Sequence, residues 1–257
     1  MTITRRDLML GAGALGLSAC APGIEIGDGV RYRIPRLTVL ERNERRDEPY
    51  LALIGFRGIP GQPGSIGTRI SDFADDRAWA EGTNDGTTLA VPRKMGEMEF
   101  ARVRSLEFTG LFVVAMEWDR SPASTVRSIA NAIAANIEDR LRTAIGSFAS
   151  PAAVEEIPDW IEESQRRAFR ALAGTNERLG PLDVAALFAE SVGDPDDVVG
   201  TNILLDYNAN VQESFLFNSL GHRAGYSGPL GPRSTAFNLQ ESVRGGKYRA
   251  EYEITII

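Results

Sequence analysis

The stretch that decides the fold is Leu111-Phe112-Val113-Val114-Ala115-Met116, followed directly by the acidic turn Glu117-Trp118-Asp119. Six consecutive apolar residues ending in a turn predict a buried strand, and no other segment of the chain predicts one as clearly. A second compact apolar run, Tyr50 to Phe56, follows another acidic turn, Asp47-Glu48-Pro49. Both runs indicate β-structure with an acidic turn at one end.

Working outward, β-type patterns dominate both halves of the chain. Residues 31–40 alternate polar and apolar side chains, and residues 57–98, rich in Gly, Pro, Asp and Thr, predict strands joined by long loops. The same texture returns after Gly193, and the final strand, Tyr248 to Ile257, again alternates. The sequence predicts a mainly β fold.

A helical segment separates the two β-rich parts. Ser124 to Ile145 places apolar residues three and four positions apart, which is typical of an amphipathic helix. Pro151 to Leu172 and Pro181 to Val192 predict two further helices. We therefore expect a helical insert at 122–193 within a β domain made of residues 31–121 and 194–257.

Three acidic turns lie beside predicted strands: Asp47-Glu48, Glu117-Trp118-Asp119, and Asp194-Pro195-Asp196-Asp197. Carboxylates two residues apart on a turn lie on one side of the backbone, as hard cations such as calcium require. Acidic turns are also commonly no more than solvated connections between strands. Taken singly, none of the three turns indicates a metal site.

Taken in order, the turns resemble those of the C2 domain, the calcium- and phospholipid-binding β-sandwich. Asp47-Glu48-Pro49-Tyr50 is similar to its Ser-Asp-Pro-Tyr turn, with Glu48 where the ligand Asp falls. The strand that ends in Glu117-Trp118-Asp119 resembles its Asp-x-Asp strand, and Asp196-Asp197-Val198-Val199-Gly200 resembles its following Asp-Asp-apolar-Ile-Gly element. The resemblance implies an antiparallel C2-like β-sandwich with the helical insert inside one calcium-binding loop.

The resemblance also implies a calcium site. Its expected ligands are Asp47, Glu48, Glu117, Asp119, Asp194, Asp196 and Asp197. The chain departs from the family in two respects. Glu48 and Glu117 replace the usual Asp, and Arg45, Arg46 and Arg120 beside the proposed ligands oppose a divalent cation.

The N-terminus resembles a bacterial export signal. Arg5 and Arg6 precede a short apolar run rich in Gly and Ala, as in twin-arginine signals, and Leu17-Ser18-Ala19-Cys20 resembles a lipobox. We therefore expect residues 1–19 to be removed, Cys20 to be lipidated and residues 20–30 to act as a tether. The expected location is the periplasmic or extracellular side of a bacterial membrane.

Composition excludes several classes of function. The formal charge of −7 becomes −8 when a signal carrying a net charge of +1 is removed, and such acidity argues against a nucleic-acid partner. Cys20 is the single cysteine, so no intramolecular disulfide forms, and His222 is the single histidine. Hydrolytic triads and common zinc sites are therefore disfavoured, and we expect no enzymatic activity.

Three functions remain open from the sequence. The first is a calcium-dependent binding module, anchored by lipid and holding an unknown protein or envelope partner. The second is a metal-independent interaction or scaffold lipoprotein that binds its partner through the helical insert. The third, least favoured, is an envelope hydrolase that uses Glu117 and Asp119, or Asp194 and Asp196, as paired carboxylates.

Overall fold

The computed structural model describes residues 29–42, 47–73, 77–80, 82–104, 107–118, 121–149, 157–178, 197–210, 213–217, 233–240 and 246–257. The strands within these ranges are β1 (Val30–Glu41), β2 (Pro49–Ile59), β3 (Gln62–Ile70), β4 (Thr88–Ala90), β5 (Glu97–Phe100), β6 (Phe108–Glu117), β7 (Asp197–Asn210), β8 (Glu213–Phe217), β9 (Arg233–Gln240) and β10 (Lys247–Ile256). The helices are α1 (Arg93–Gly96), α2 (Ala123–Ile145) and α3 (Ile157–Arg178), with a 3₁₀ turn at Arg77–Ala80.

The strands form two antiparallel sheets. The first sheet has the order β4-β1-β10-β9, and β5 also pairs with β1. The second sheet has the order β3-β2-β6-β7-β8. The two sheets pack face to face around one hydrophobic core, so the predicted mainly β sandwich is confirmed.

The two apolar runs are buried because the second sheet is covered on both faces. A Cβ at Gly55 of β2 would collide with Phe100 of β5, so this side of β2 faces the first sheet. The adjacent Ile54 faces the other way and lies with Ile133 of α2 around one small gap. Every residue of β6 is buried for the same reason. Each buried large apolar side chain contributes about 1.5–3 kcal/mol to folding.

The helical insertion lies between β6 and β7, which are hydrogen-bonded neighbours in the second sheet. Helix α2 begins after Pro122 and ends at Ile145, and the N–H of the following Gly146 donates to the Arg142 carbonyl (2.9 Å). Its apolar stripe is buried at Val126, Ile129, Ala130, Ile133, Ala134, Ile137, Leu141 and Ile145. The predicted insertion of helix into one loop of the sandwich is therefore confirmed, and it forms a third layer over the second sheet.

The observed helices and strands differ from the predicted ones mainly in the residues at which they begin and end. The second predicted helix, Pro151 to Leu172, is observed as Ile157–Arg178, while the third, Pro181 to Val192, lies outside the described residues. Strand β7 extends to Asn210, beyond the apolar run that predicted it, because pairing with β8 continues its hydrogen-bond ladder. In the part of the chain that the structure describes, no helix has the length and apolar character needed to span a membrane.

Candidate functional site

Parts of all three acidic turns lie together at one end of the second sheet. The strand register places Pro49 opposite Glu117, and Glu117 opposite Asp197 on the next strand. Antiparallel pairing brings these positions side by side although they are far apart in sequence. We call this region the acidic end and define it by Asp47, Glu48, Glu117 and Asp197.

Asp47 is directed into the sandwich. It is 0 % exposed, and its Oδ2 accepts a hydrogen bond from the hydroxyl of Tyr248 (2.9 Å). Its backbone carbonyl accepts a hydrogen bond from the Thr83 N–H (2.9 Å). Because Tyr248 belongs to β10 of the first sheet, the Asp47–Tyr248 bond joins the two sheets at the acidic end. Asp47 therefore has a structural role in this arrangement.

Glu117 lies beside this pair and is 2 % exposed. Its Oε1 accepts a hydrogen bond from the Glu48 N–H (3.3 Å), and the Trp118 N–H donates to the Glu48 carbonyl (3.1 Å). Burial raises the pKa of Tyr248 above its usual value, and the nearby Asp47 and Glu117 carboxylates raise it further. Tyr248 is consequently a neutral hydrogen-bond donor to Asp47, and the Glu117 carboxylate is near enough to act on it electrostatically.

The remaining predicted site residues lie partly inside and partly outside the described ranges. Asp197 has a described backbone, at the start of β7, whereas Asp119, Asp194 and Asp196 lie outside the described residues. So do Cys20, Arg5 and Arg6 of the predicted export signal. Among the described residues, no group of three or more His, Cys, Asp or Glu side chains is placed to hold a metal ion. The acidic end therefore contains four of the seven predicted calcium ligands: Asp47, Glu48, Glu117 and Asp197.

Tyr248 is the residue of this region that sequence reasoning missed as a partner of the acidic turns. The alternation of the last strand identifies Tyr248 as one of a row of apolar and aromatic positions. Nothing local shows that its hydroxyl reaches Asp47, 201 residues away in sequence. A buried Tyr needs a hydrogen-bond partner, and only the packing of the two sheets decides which one it finds.

The opposite end of the sandwich contains Gly29, Ile257 and an ion pair with a buried carboxylate. The backbone of Gly29 exchanges two hydrogen bonds with that of Ile257 (2.7 and 2.9 Å). Nearby, the guanidinium of Arg57 donates to both carboxylate oxygens of Glu107 (2.5 and 2.9 Å). Glu107 is 0 % exposed. The Arg104 N–H also donates to Glu107 (2.7 Å), so this buried carboxylate is well satisfied.

The described part of the helical insert has its apolar surface packed against the domain. In α3, Trp160 is buried beside Phe148, and its Nε1–H donates to the Ala149 carbonyl (2.6 Å). The outer face of α3 carries ion pairs such as Glu162–Arg166 (2.7 Å). Among the described side chains of α2 and α3, those most exposed to solvent are therefore mainly polar or charged.

Comparison with known proteins gives a structural likeness and no sequence match. No protein-family model matches the chain, and no curated protein sequence matches it. Among solved structures, the chain is similar to a C2 domain of plant extended synaptotagmin 1, at 8 % identity and a TM-score of 0.35. The match covers 91 % of this chain and 95 % of that one. The class of protein that the two sheets define is an antiparallel β-sandwich with a helical insertion.

Proposed function

We propose that the chain is a lipid-anchored binding module of the bacterial cell envelope, with a C2-like sandwich whose acidic end binds calcium. The supporting observation is the strand register, which sets Glu117 next to Asp197 and leaves Glu48 on the adjoining turn. The register thus gathers acidic positions at one end of the sheet, and a divalent cation relieves the repulsion wherever their carboxylates come close together. Envelope calcium is abundant, so affinity of millimolar order suffices.

The geometry refines the ligand set under this proposal. Asp47 accepts the Tyr248 hydroxyl inside the sandwich, so we assign it to orienting the loop. The ligands are then expected from Glu48 and from the acidic residues around the insertion, Asp119, Asp194, Asp196 and Asp197. Glu117 borders the site and holds the Glu48 backbone.

The proposal also orients the molecule on the membrane. The described chain starts at Gly29, beside Ile257, at the end of the sandwich opposite the acidic end. A lipid on Cys20 and a tether of 20–30 would therefore hold that opposite end toward the bilayer. Calcium bound at the acidic end would order loops that face away from the anchoring membrane, toward a partner in the envelope.

The test is a thermal melt of residues 21–257 in chelator, in 10 mM calcium and in 10 mM magnesium. Ligand binding to the native state alone at about ten times Kd adds about 1.4 kcal/mol, or about 3–6 °C in a domain of this size. We expect that rise with calcium and a much smaller one with magnesium.

The matched variants separate the site from general charge effects. Asp119→Asn with Asp196→Asn should abolish the calcium-dependent rise. The control, Asp139→Asn with Asp159→Asn, neutralises two exposed helix carboxylates and should leave the rise intact. An unchanged calcium response in the first pair, or no response in the wild type, rules out the calcium site.

A metal-independent interaction module is the second candidate. The observation that favours it is the burial of Asp47 and Glu117, because both carboxylates already have hydrogen-bond partners within the fold. Calcium-insensitive melting would support this candidate. The buried position of Glu117 also leaves a paired-carboxylate hydrolase without an accessible acid at that residue.

A further inference from the structure

Strand β1, which follows Gly29, lies in the interior of the first sheet. Among the described strands, β1 pairs with β10 along one edge, from Val30 to Glu41. Along its other edge it pairs with β5 at residues 30–33 and with β4 at residues 36–38. The strand nearest the N-terminal end of the described chain is therefore hydrogen-bonded on both sides.

The second sheet has a matching strand at the acidic end. Strand β6 lies between β2 and β7 and pairs with both of them from Phe108 to Glu117. It ends at the acidic end, where the chain continues into α2. Gly29 and Glu117 thus lie at opposite ends of the sandwich, and each adjoins or ends a strand that is paired on both edges. A pull between these two ends is directed along the strands.

The direction of a pull decides how the hydrogen bonds of a sheet resist it. In an antiparallel ladder the bonds run perpendicular to the strands. A force along the strands therefore strains many bonds together, whereas a force that separates two strands at one end breaks the bonds in sequence. Gly29 and Ile257 exchange two backbone hydrogen bonds (2.7 and 2.9 Å) at the end of the β1–β10 ladder. Pulling these two residues apart opens the ladder, while pulling Gly29 away from the acidic end shears it.

Two arginines of the second sheet brace the strand that flanks the first residues of β1. Arg69 of β3 donates to the Glu99 carbonyl of β5 (3.3 Å). Arg57 of β2 donates to the carbonyls that follow β5, those of Ala101 (3.1 Å) and Arg102 (3.3 Å). Because β5 is tied to the second sheet in this way, a force that displaces β1 against β5 also acts on the second sheet. The force is shared between the two sheets where it enters the domain.

We propose that the sandwich is a tension-bearing link, in which β1 and β6 transmit force between the membrane anchor and a partner held at the acidic end. This inference rests on the proposed function, which places the anchor beside Gly29 and the partner at the opposite end. The supporting observations are the pairing of both strands on both edges and the arginine braces beside the start of β1.

The test is single-molecule force spectroscopy at constant force on the chain without its predicted export signal, residues 20–257. Cys20 is the single cysteine of the chain, so it takes the first handle without any substitution. For the shear direction, the second handle is attached to Ser124→Cys, an exposed position at the start of α2. For the opening direction, it is attached to a cysteine added after Ile257.

At the same force, the domain should unfold about tenfold more slowly in the shear direction than in the opening direction, since forced unfolding is governed by the unfolding rate. Arg69→Met keeps the aliphatic stem and removes the donor to Glu99, and should speed unfolding about threefold in the shear direction. Its effect in the opening direction should be smaller. The control is Arg170→Met, the same change at an exposed position of α3, and it should leave both rates unchanged.

Equal rates in the two directions, or faster unfolding in shear, would overturn the proposal. An equal effect of Arg69→Met in both directions would show a general loss of stability and would remove the brace from the force path. The handles replace both the lipid and the partner, so the outcome does not depend on lipidation of Cys20 or on calcium. A chain that resists shear but shows no calcium response in the melt would keep the mechanical role and lose the calcium site.

Discussion

The substitution Tyr248→Phe tests whether the two sheets are joined through a buried carboxylate. The change removes one hydroxyl and keeps the ring, so the packing of β10 is preserved. Asp47 remains 0 % exposed and loses the hydrogen bond that Tyr248 donates to its Oδ2. A hydrogen bond to a charged group contributes about 1.5–3 kcal/mol, and a buried acceptor that loses its donor cannot turn to water instead.

A matched control lies at the other end of the same sheet. Tyr32 of β1 also reaches across the sandwich, where its hydroxyl shares a hydrogen bond with that of Thr109 (2.7 Å). Both partners are neutral there, so Tyr32→Phe should cost about 0.5–1.5 kcal/mol. Both variants lose the same hydroxyl, and both hydroxyls reach from the first sheet toward the second. The main difference between them is the charge of the hydrogen-bond partner.

Equilibrium unfolding in urea measures both variants. Tyr248→Phe should lower the free energy of unfolding by about 2 kcal/mol, or about 4–8 °C in a melt, with an unchanged m-value. Its loss should exceed that of Tyr32→Phe. Equal losses, or a loss below about 0.5 kcal/mol for Tyr248→Phe, would refute the argument that Asp47 depends on Tyr248.

The same hydroxyl predicts a pH dependence. The pKa of Tyr248 is raised in the folded state, whereas an unfolded Tyr titrates near 10. Above about pH 10 the unfolded chain releases a proton that the folded chain keeps, so stability falls as the pH rises, by up to about 1.4 kcal/mol per unit. Urea unfolding between pH 8 and 11 should show a shallower fall in Tyr248→Phe; identical slopes would contradict the assignment.

Two further predictions concern packing elsewhere. Glu107→Gln removes the charge of a fully buried carboxylate paired with Arg57, and should lower the free energy of unfolding in urea by about 3–5 kcal/mol. Glu251→Gln acts on an exposed pair with Arg36 and should cost less than about 1 kcal/mol. Similar losses in the two variants would contradict the argument from burial. Gly110→Ala should destabilise by more than about 2 kcal/mol, because its Cβ would collide with a buried carbonyl and an aromatic ring, and Gly67→Ala should be nearly neutral since open space surrounds that position. A folded, stable Gly110→Ala protein would show that the sheet relaxes more than its packing suggests.

Parts of the fold were accessible from the sequence because they depend on short-range patterns. Periods of two and of three to four residues identified the strands and helix α2, whose predicted start at Ser124 lies one residue from the observed Ala123. The position of the helical insertion followed from the same patterns. The full burial of β2 was less accessible, because an apolar run does not say which layers cover it, and here one layer is α2 itself.

At the candidate site, too, some features were predictable from the sequence and others depended on the tertiary structure. The sequence by itself determined that Asp47, Glu117 and Asp197 lie at the ends of strong strands, because turn residues and apolar runs are local signals. Only the tertiary structure decided that two of these carboxylates are buried, and that Tyr248 joins one of them to the opposite sheet. Burial and hydrogen-bond partners arise from contacts between segments far apart in the chain, and no local pattern carries that information.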